Sequence, residues 1–170
     1  MRLTITMAAI STLLTFSAHA QQNVAGCSDN AVHTQLVTVD QTLEQQGFSL
    51  IQFKMMSMPS GAYVPVDVTL EQGKMYQINF IASQQFSQYT FTILDKDKNK
   101  TVDKKVKQKD GVSNQLTESF AAPYTGRYII ILTQKVKGKS EACGGFSILK
   151  AVNDHLPAGP SDKHPAGSKK

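Results

Sequence analysis

Residues 89–108, "YTFTILDKDKNKTVDKKVKQ", change character twice within twenty positions. Tyr89, Phe91 and Ile93 alternate with threonines, the period of a strand that buries one face. Asp95-Lys96-Asp97-Lys98-Asn99 then breaks the pattern, and "KTVDKKVKQ" resumes it weakly, with lysines in place of most apolar residues. This reads as a strand, an aspartate turn and a charged edge strand. Lysine-rich edges discourage strand-to-strand association.

The same pattern recurs on either side. "FSLIQFKMMSM" opens a strand at Phe48, and Pro59-Ser60-Gly61 turns the chain. "YVPVDVTL" alternates Val64, Val66, Val68 and Leu70 against Pro65, Asp67 and Thr69. Pro65 cannot donate a ladder bond, so this strand belongs at an edge. "KMYQINFIAS" sets Tyr76, Ile78 and Phe80 against Met75, Gln77, Asn79 and Ile81. "NQLTESFAA" follows, then Pro123-Tyr124-Thr125-Gly126 leads into "RYIIILTQKV", whose apolar run Tyr128–Leu132 predicts a central strand. "GKSEACGG" reads as a loop and "FSILKAV" as the last strand. About eight short strands with turn signals between them predict an antiparallel sandwich or barrel.

One segment departs from period 2. In residues 28–46, Val32, Leu36, Val39 and Leu43 recur at helical spacing, with Ser28 or Asp29 to cap the start and Gly47 to end it. The chain thus divides into a signal peptide over 1–20, an N-terminal helical segment over 21–47, a β-sandwich over 48–153 and a polar, basic, disordered tail over 154–170. The leader reading rests on Arg2, the apolar run Leu3–Phe16 and the small residues of Ala18-His19-Ala20. That run is shorter than the roughly 20 apolar residues of a membrane span, and no later segment is long enough. The expected location is periplasmic or extracellular.

In such a compartment the two cysteines, Cys27 and Cys143, are expected to form one disulfide. Neither has a CxxC partner or a histidine at ligand spacing. The 170-residue chain carries 18 basic and 13 acidic residues, a formal net charge of +5. That fits weak attraction to anionic surfaces and is too small to argue for nucleic acid.

Residues 64–151 resemble the pre-peptidase C-terminal domain of secreted bacterial proteins. The resemblance lies in "VTLEQGKMYQINFIAS", "YTFTILDKDKN", "ESFAAPYTGRYIIIL" and "GGFSILKA": a turn at Gly73, an aspartate turn at Asp95, and Phe120-Ala121-Ala122-Pro123-Tyr124-Thr125-Gly126-Arg127-Tyr128 leading into a long apolar strand. It implies a small jelly-roll-like sandwich with a non-catalytic accessory role; some relatives bind calcium, collagen or polysaccharide. This chain adds an N-terminal helix and a cysteine pair, and no protease domain accompanies the fold.

The chemistry that can be sought is limited. Asp95, Asp97 and Asn99 match the first ligands of an EF-hand, but Lys100 replaces the required glycine and Val106 the bidentate glutamate. A looser calcium site would need Asp67 or Glu118 from elsewhere. No aromatic lies between Asp95 and Asp110 to stack a base, so nucleic acid is excluded. Met55, Met56, Met58 and Met75 cannot converge on copper, because neighbouring strand residues face opposite ways. No nucleophile motif occurs; an unsigned hydrolase site would draw on Asp67, Glu118 and His33. Ligand-contact aromatics are expected in turns: Tyr63, Phe86 and Tyr124, with Tyr128 and Phe80 in the core. The expected function is a non-catalytic binding or accessory module for a protein or glycan, without a cofactor beyond the candidate calcium. The alternative is an envelope assembly factor acting through its helix or an open strand edge.

Overall fold

The computed structural model describes residues 25–109 and 112–152; the leader and tail read from the sequence lie outside them. It consists of one helix, α1 (Asn30–Gln45), and eight strands: β1 (Phe48–Pro59), β2 (Val64–Leu70), β3 (Met75–Ile81), β4 (Phe86–Leu94), β5 (Lys100–Lys107), β6 (Gln115–Ala121), β7 (Gly126–Val136) and β8 (Glu141–Ala151). No helix among the described residues is long and apolar enough to cross a membrane.

The strands form two four-stranded antiparallel sheets, β1-β8-β3-β6 (sheet A) and β2-β7-β4-β5 (sheet B). The pairs β1–β8, β2–β7, β3–β6 and β4–β5 fall alternately in the two sheets, as when one long hairpin is rolled upon itself. That connectivity is a jelly-roll sandwich. The period-2 faces meet between the sheets: Val64, Val66, Val68 and Leu70, Tyr89, Phe91 and Ile93, and Tyr128, Ile130 and Leu132 from sheet B pack on Met56, Met58, Tyr76, Ile78, Phe80, Phe120, Phe146 and Ile148 from sheet A.

Four edges remain, and each is blunted in its own way. Pro65 sits on β2. On β5, Lys104 is paired with Phe91 and so faces the sandwich interior, where it meets Glu118 of β6 across the open side at 3.6 Å. Edge strand β1 carries a bulge between Leu50 and Gln52, and its far half is covered by the N-terminal segment, whose Ala25 C=O accepts from Ser57 N–H at 2.8 Å.

Helix α1 covers the outside of sheet A. The Asp29 carboxylate caps it by accepting from Ala31 and Val32 N–H, and Gly47 ends it at φ 90°. Val32 and Leu36 pack with Ile81 and Met55, and Leu43 packs with Phe48, Leu149 and Ala151. The helix can sit this close because β8 offers Gly145, where an added Cβ would lie 3.1 Å from both Val32 and Leu36. On the other face of β8, a Cβ at Gly144 would lie 2.6 Å from the Met58 sulfur. These glycines therefore belong to the strand, which starts at Glu141; the loop expected over "GKSEACGG" ends before it. Small side chains at a two-sided packing site carry the same sequence signature as a turn.

Cys27 and Cys143 are joined in a disulfide that closes a separation of 116 residues and ties the segment before α1 to β8. Loop closure of that length is worth about 4–5 kcal/mol in the chain-entropy model.

Candidate functional site

With sheet A roofed by the helix and all four edges blunted, the outer face of sheet B is the broad surface that no element covers among the described residues. Register places its side chains in cross-strand rows. Asp67, Ile129, Leu94 and Lys100 form one row; Pro65, Ile131, Thr92 and Asp103 form the next. Thr133, Thr90 and Lys105 follow, and then Lys135, Gln88 and Lys107. Tyr63 immediately precedes β2 and is 77% exposed; alternation puts it on the same side as Pro65. The centre of the face is thus isoleucine, leucine and threonine, and its margins are charged.

The charges differ between the two ends. Toward the Leu94 end, acids and bases are matched. Arg127 Nη2 lies 2.7 Å from Asp67 Oδ1, and its Nε donates to the same oxygen at 2.8 Å. Asp103 accepts from Lys100 Nζ at 2.8 Å and from Thr92 Oγ1 at 2.9 Å. The bonds from Lys100 and Thr92 hold the Asp103 carboxyl below its ordinary pKa. Asp103, with a smaller contribution from the Tyr63 hydroxyl, raises that of Lys100. Toward the other end, Lys105, Lys107 and Lys135 are exposed and form no ion pair among the described residues. Thr90 and Thr133 share a hydroxyl–hydroxyl bond between them.

The residues singled out from sequence are distributed differently. Asp95 is a turn-builder: Oδ1 accepts from Asp97 N–H at 2.9 Å and Asn99 N–H at 2.7 Å, and Oδ2 from Asn99 Nδ2 at 3.1 Å. Desolvation acts upward, but the bonds from Asn99 and Asp97 together with the Lys96 charge outweigh it and lower the pKa. These bonds hold Lys98 at φ 63°. Asp97 lies 3.9 Å from Lys96, and no cluster of three or more acidic, histidine or cysteine side chains suited to a metal occurs among the described residues. Asp67 and Glu118, the carboxylates a looser calcium site would borrow, are held by Arg127 and Lys104.

Of the three turn aromatics, only Tyr63 is open. Phe86 is 2% exposed and packs on Tyr89 in the core, because it starts β4 facing inward. Tyr124 is half-buried and stacks on Tyr128 at 4.7 Å, its hydroxyl accepting from Lys96 N–H. Tyr63 lies beside the Val64–Leu132 pair and Tyr124 beside the Leu70–Gly126 pair, at opposite ends of sheet B. The three therefore do not form one site. His33, Asp67 and Glu118 are also separate. His33 packs edge-on to Phe53 over sheet A, Asp67 lies outside sheet B, and Glu118 sits at the open side.

A buried polar cluster was not read from sequence. Asp40 on α1, Asn79 on β3 and Ser147 on β8 meet beneath the helix; Asp40 Oδ1 accepts from Ser147 Oγ at 2.5 Å and from Asn79 Nδ2 at 3.1 Å. Asp40 Oδ2 and Asn79 Oδ1 have no hydrogen-bond partner among the described residues. Burial raises the Asp40 pKa, opposed by the bonds from Ser147 and Asn79 and assisted by Glu44. A signal existed: Asp40 falls between Leu36 and Leu43 on the apolar stripe itself.

No family model matches this sequence. No curated protein matches it either. Among solved structures it is similar to PliG, a periplasmic lysozyme inhibitor of g-type lysozyme from Aeromonas hydrophila, at 13% identity and TM-score 0.38, over 59% of this chain and 83% of that one. It is also similar to the VP2 subviral particle of infectious bursal disease virus, at 10% identity and TM-score 0.35, over 57% of this chain and 30% of the viral one. At these values neither likeness bears on partner or activity.

Proposed function

We propose that this protein is an exported, non-catalytic binding module that recognises a protein or glycan through the outer face of sheet B and its adjoining loops. The observation that carries the proposal is the contrast between the two sheets. The helix roofs sheet A across β1, β8 and β3, whereas among the described residues no element covers sheet B. The blunted edges weigh against strand addition as the mode of recognition. The disulfide supports an oxidising compartment. A relationship to the pre-peptidase C-terminal domain is part of this reading, supported by the turns at Gly73 and Asp95 and by the Tyr124–Gly126 corner entering β7.

The test is capture of ligands by the immobilised disulfide-bonded protein from an extract of exported proteins and on a glycan array. Ile131→Glu places a charge in the centre of the face, and Thr117→Glu places one on β6 outside sheet A. Capture is expected to survive Thr117→Glu and to fail with Ile131→Glu, with both variants folded by circular dichroism and no captured species consumed. Equal capture by both variants, or turnover of a bound species, would contradict the proposal.

A further inference from the structure

Ion pairing is unevenly distributed over the molecule. Lys96, Lys100, Lys104, Arg127 and Lys150 each have an acidic partner within 4 Å. Eight exposed lysines have none among the described residues; Lys54 on β1 and Lys98 in the β4–β5 turn stand apart, and the other six are Lys105, Lys107 and Lys109 on and after β5, and Lys135, Lys137 and Lys139 on and after β7. Topology gathers these six. Strands β5 and β7 flank β4, and Lys107 and Lys135 are both register partners of Gln88. The backbone holds the segments together beyond the ladder: Gln108 N–H donates to Ser87 C=O at 2.8 Å, and Lys137 N–H to Gln85 C=O at 3.3 Å. The acid that follows in the chain, Glu141, pairs in register with Pro59 of β1 in the other sheet.

The dimensions follow from strand geometry. Lys107 and Lys135 start about 10 Å apart across β4, and Lys105 and Lys107, two residues apart on β5, about 7 Å; Lys109, Lys137 and Lys139 continue past the strand ends. The result is two lysine rows with hydrogen-bonding groups of β4 between them, Gln88 and Thr90. Tyr63, the most exposed large hydrophobic side chain described, precedes β2 on the same side.

We infer that this end of the sheet B face binds an acidic polysaccharide, its carboxylates or sulfates lying between the Lys105–Lys107–Lys109 and Lys135–Lys137–Lys139 rows. The inference rests on the binding-module reading and adds the class of ligand. Ammonium groups meet the anions as point charges, amide and hydroxyl groups of β4 meet sugar hydroxyls, and Tyr63 offers a ring face. Nucleic acid would call for arginine forks and several stacking rings. The described arginine, Arg127, is paired with Asp67 at the opposite end, and Tyr63 is a single ring. A membrane surface would call for an apolar wedge beside the cations. Leu50, Ile51, Met75 and Val152, four of the six exposed large apolar side chains described, belong to sheet A or its ends; Val112, whose N–H donates to Lys109 C=O, and Tyr63 adjoin the lysines as single side chains.

The experiment titrates the folded, disulfide-bonded protein with polygalacturonate and heparin at several salt concentrations, with neutral dextran as reference. Two double variants are compared: Lys107→Gln/Lys135→Gln in the cluster and Lys96→Gln/Lys98→Gln in the far loop. Saturable binding of one of the two polyanions and none of dextran is expected. Affinity should weaken with salt, fall about tenfold in the cluster variant and change less than about twofold in the loop variant. Equal losses in both variants would reduce the effect to net charge and overturn the inference. So would tighter binding to phosphatidylglycerol vesicles or duplex DNA than to either polysaccharide. A ligand whose capture is abolished by Ile131→Glu but untouched by Lys107→Gln/Lys135→Gln would overturn it while leaving the binding-module reading in place.

Discussion

Gln134 is fully buried on β7, and both ends of its amide are used. Its Oε1 accepts from Ser83 N–H at 2.9 Å, and its Nε2 donates to Ala142 C=O at 2.9 Å. One side chain thereby satisfies backbone groups of the β3–β4 connection and of β8 where the two sheets meet. Gln134→Leu keeps the bulk and orphans both groups, each at about 1–3 kcal/mol. Its urea unfolding midpoint should fall by the equivalent of roughly 2–4 kcal/mol, whereas Gln88→Leu on the outer face should leave it nearly unchanged. At this scale the sequence was partly legible. Pro65 announced an edge, and the alternation of Tyr89, Phe91 and Ile93 announced a buried face. Phe86 was misplaced because a residue at a strand's first position has no preceding alternation to orient it. Gln134 was silent because a glutamine on a core strand reads as an outward residue until its backbone partners are in view.

Helix α1 is held to sheet A by apolar contacts, the disulfide just before it, and the Asp40–Asn79–Ser147 cluster. Asn79 already donates to Asp40 Oδ1, and the two groups without partners are both acceptors, so the junction lacks one donor. A proton on the Asp40 carboxyl supplies it. Because burial raises the folded-state pKa, the proton is held more tightly in the folded protein than in the unfolded chain. The stabilisation is therefore complete below the unfolded carboxyl pKa and is lost as pH rises through the folded value. Asp40→Asn carries a permanent donor in place of the proton. It is expected to match the wild-type protein at acidic pH and to exceed it in unfolding midpoint at pH 8. A difference independent of pH would refute this account of the junction. The helix itself was legible from its 3.6 period. The sheet it would cover was not, since an apolar stripe names no partner.

At the scale of the whole molecule, strand number and the antiparallel sandwich follow from the repeated period of 2. The rolled pairing of β1 with β8 and β2 with β7 joins segments far apart in the chain, and no local pattern encodes that. The candidate site depends on another such long-range pairing, β4 with β7. Lys107 and Lys135 are 28 positions apart in the sequence and become neighbours of one glutamine only through register. The charged stretch that drew attention as a calcium loop contributes instead through its second half, as one lysine row of a face whose other row begins on β7. The central claim is that this face binds the ligand. The most direct measurement is a two-dimensional NMR titration of the labelled protein with polygalacturonate or heparin. Shifts confined to Gln88, Thr90, Lys105, Lys107, Thr133 and Lys135 would agree with the claim; shifts centred on helix α1 or the β1 edge, or no shifts at all, would contradict it.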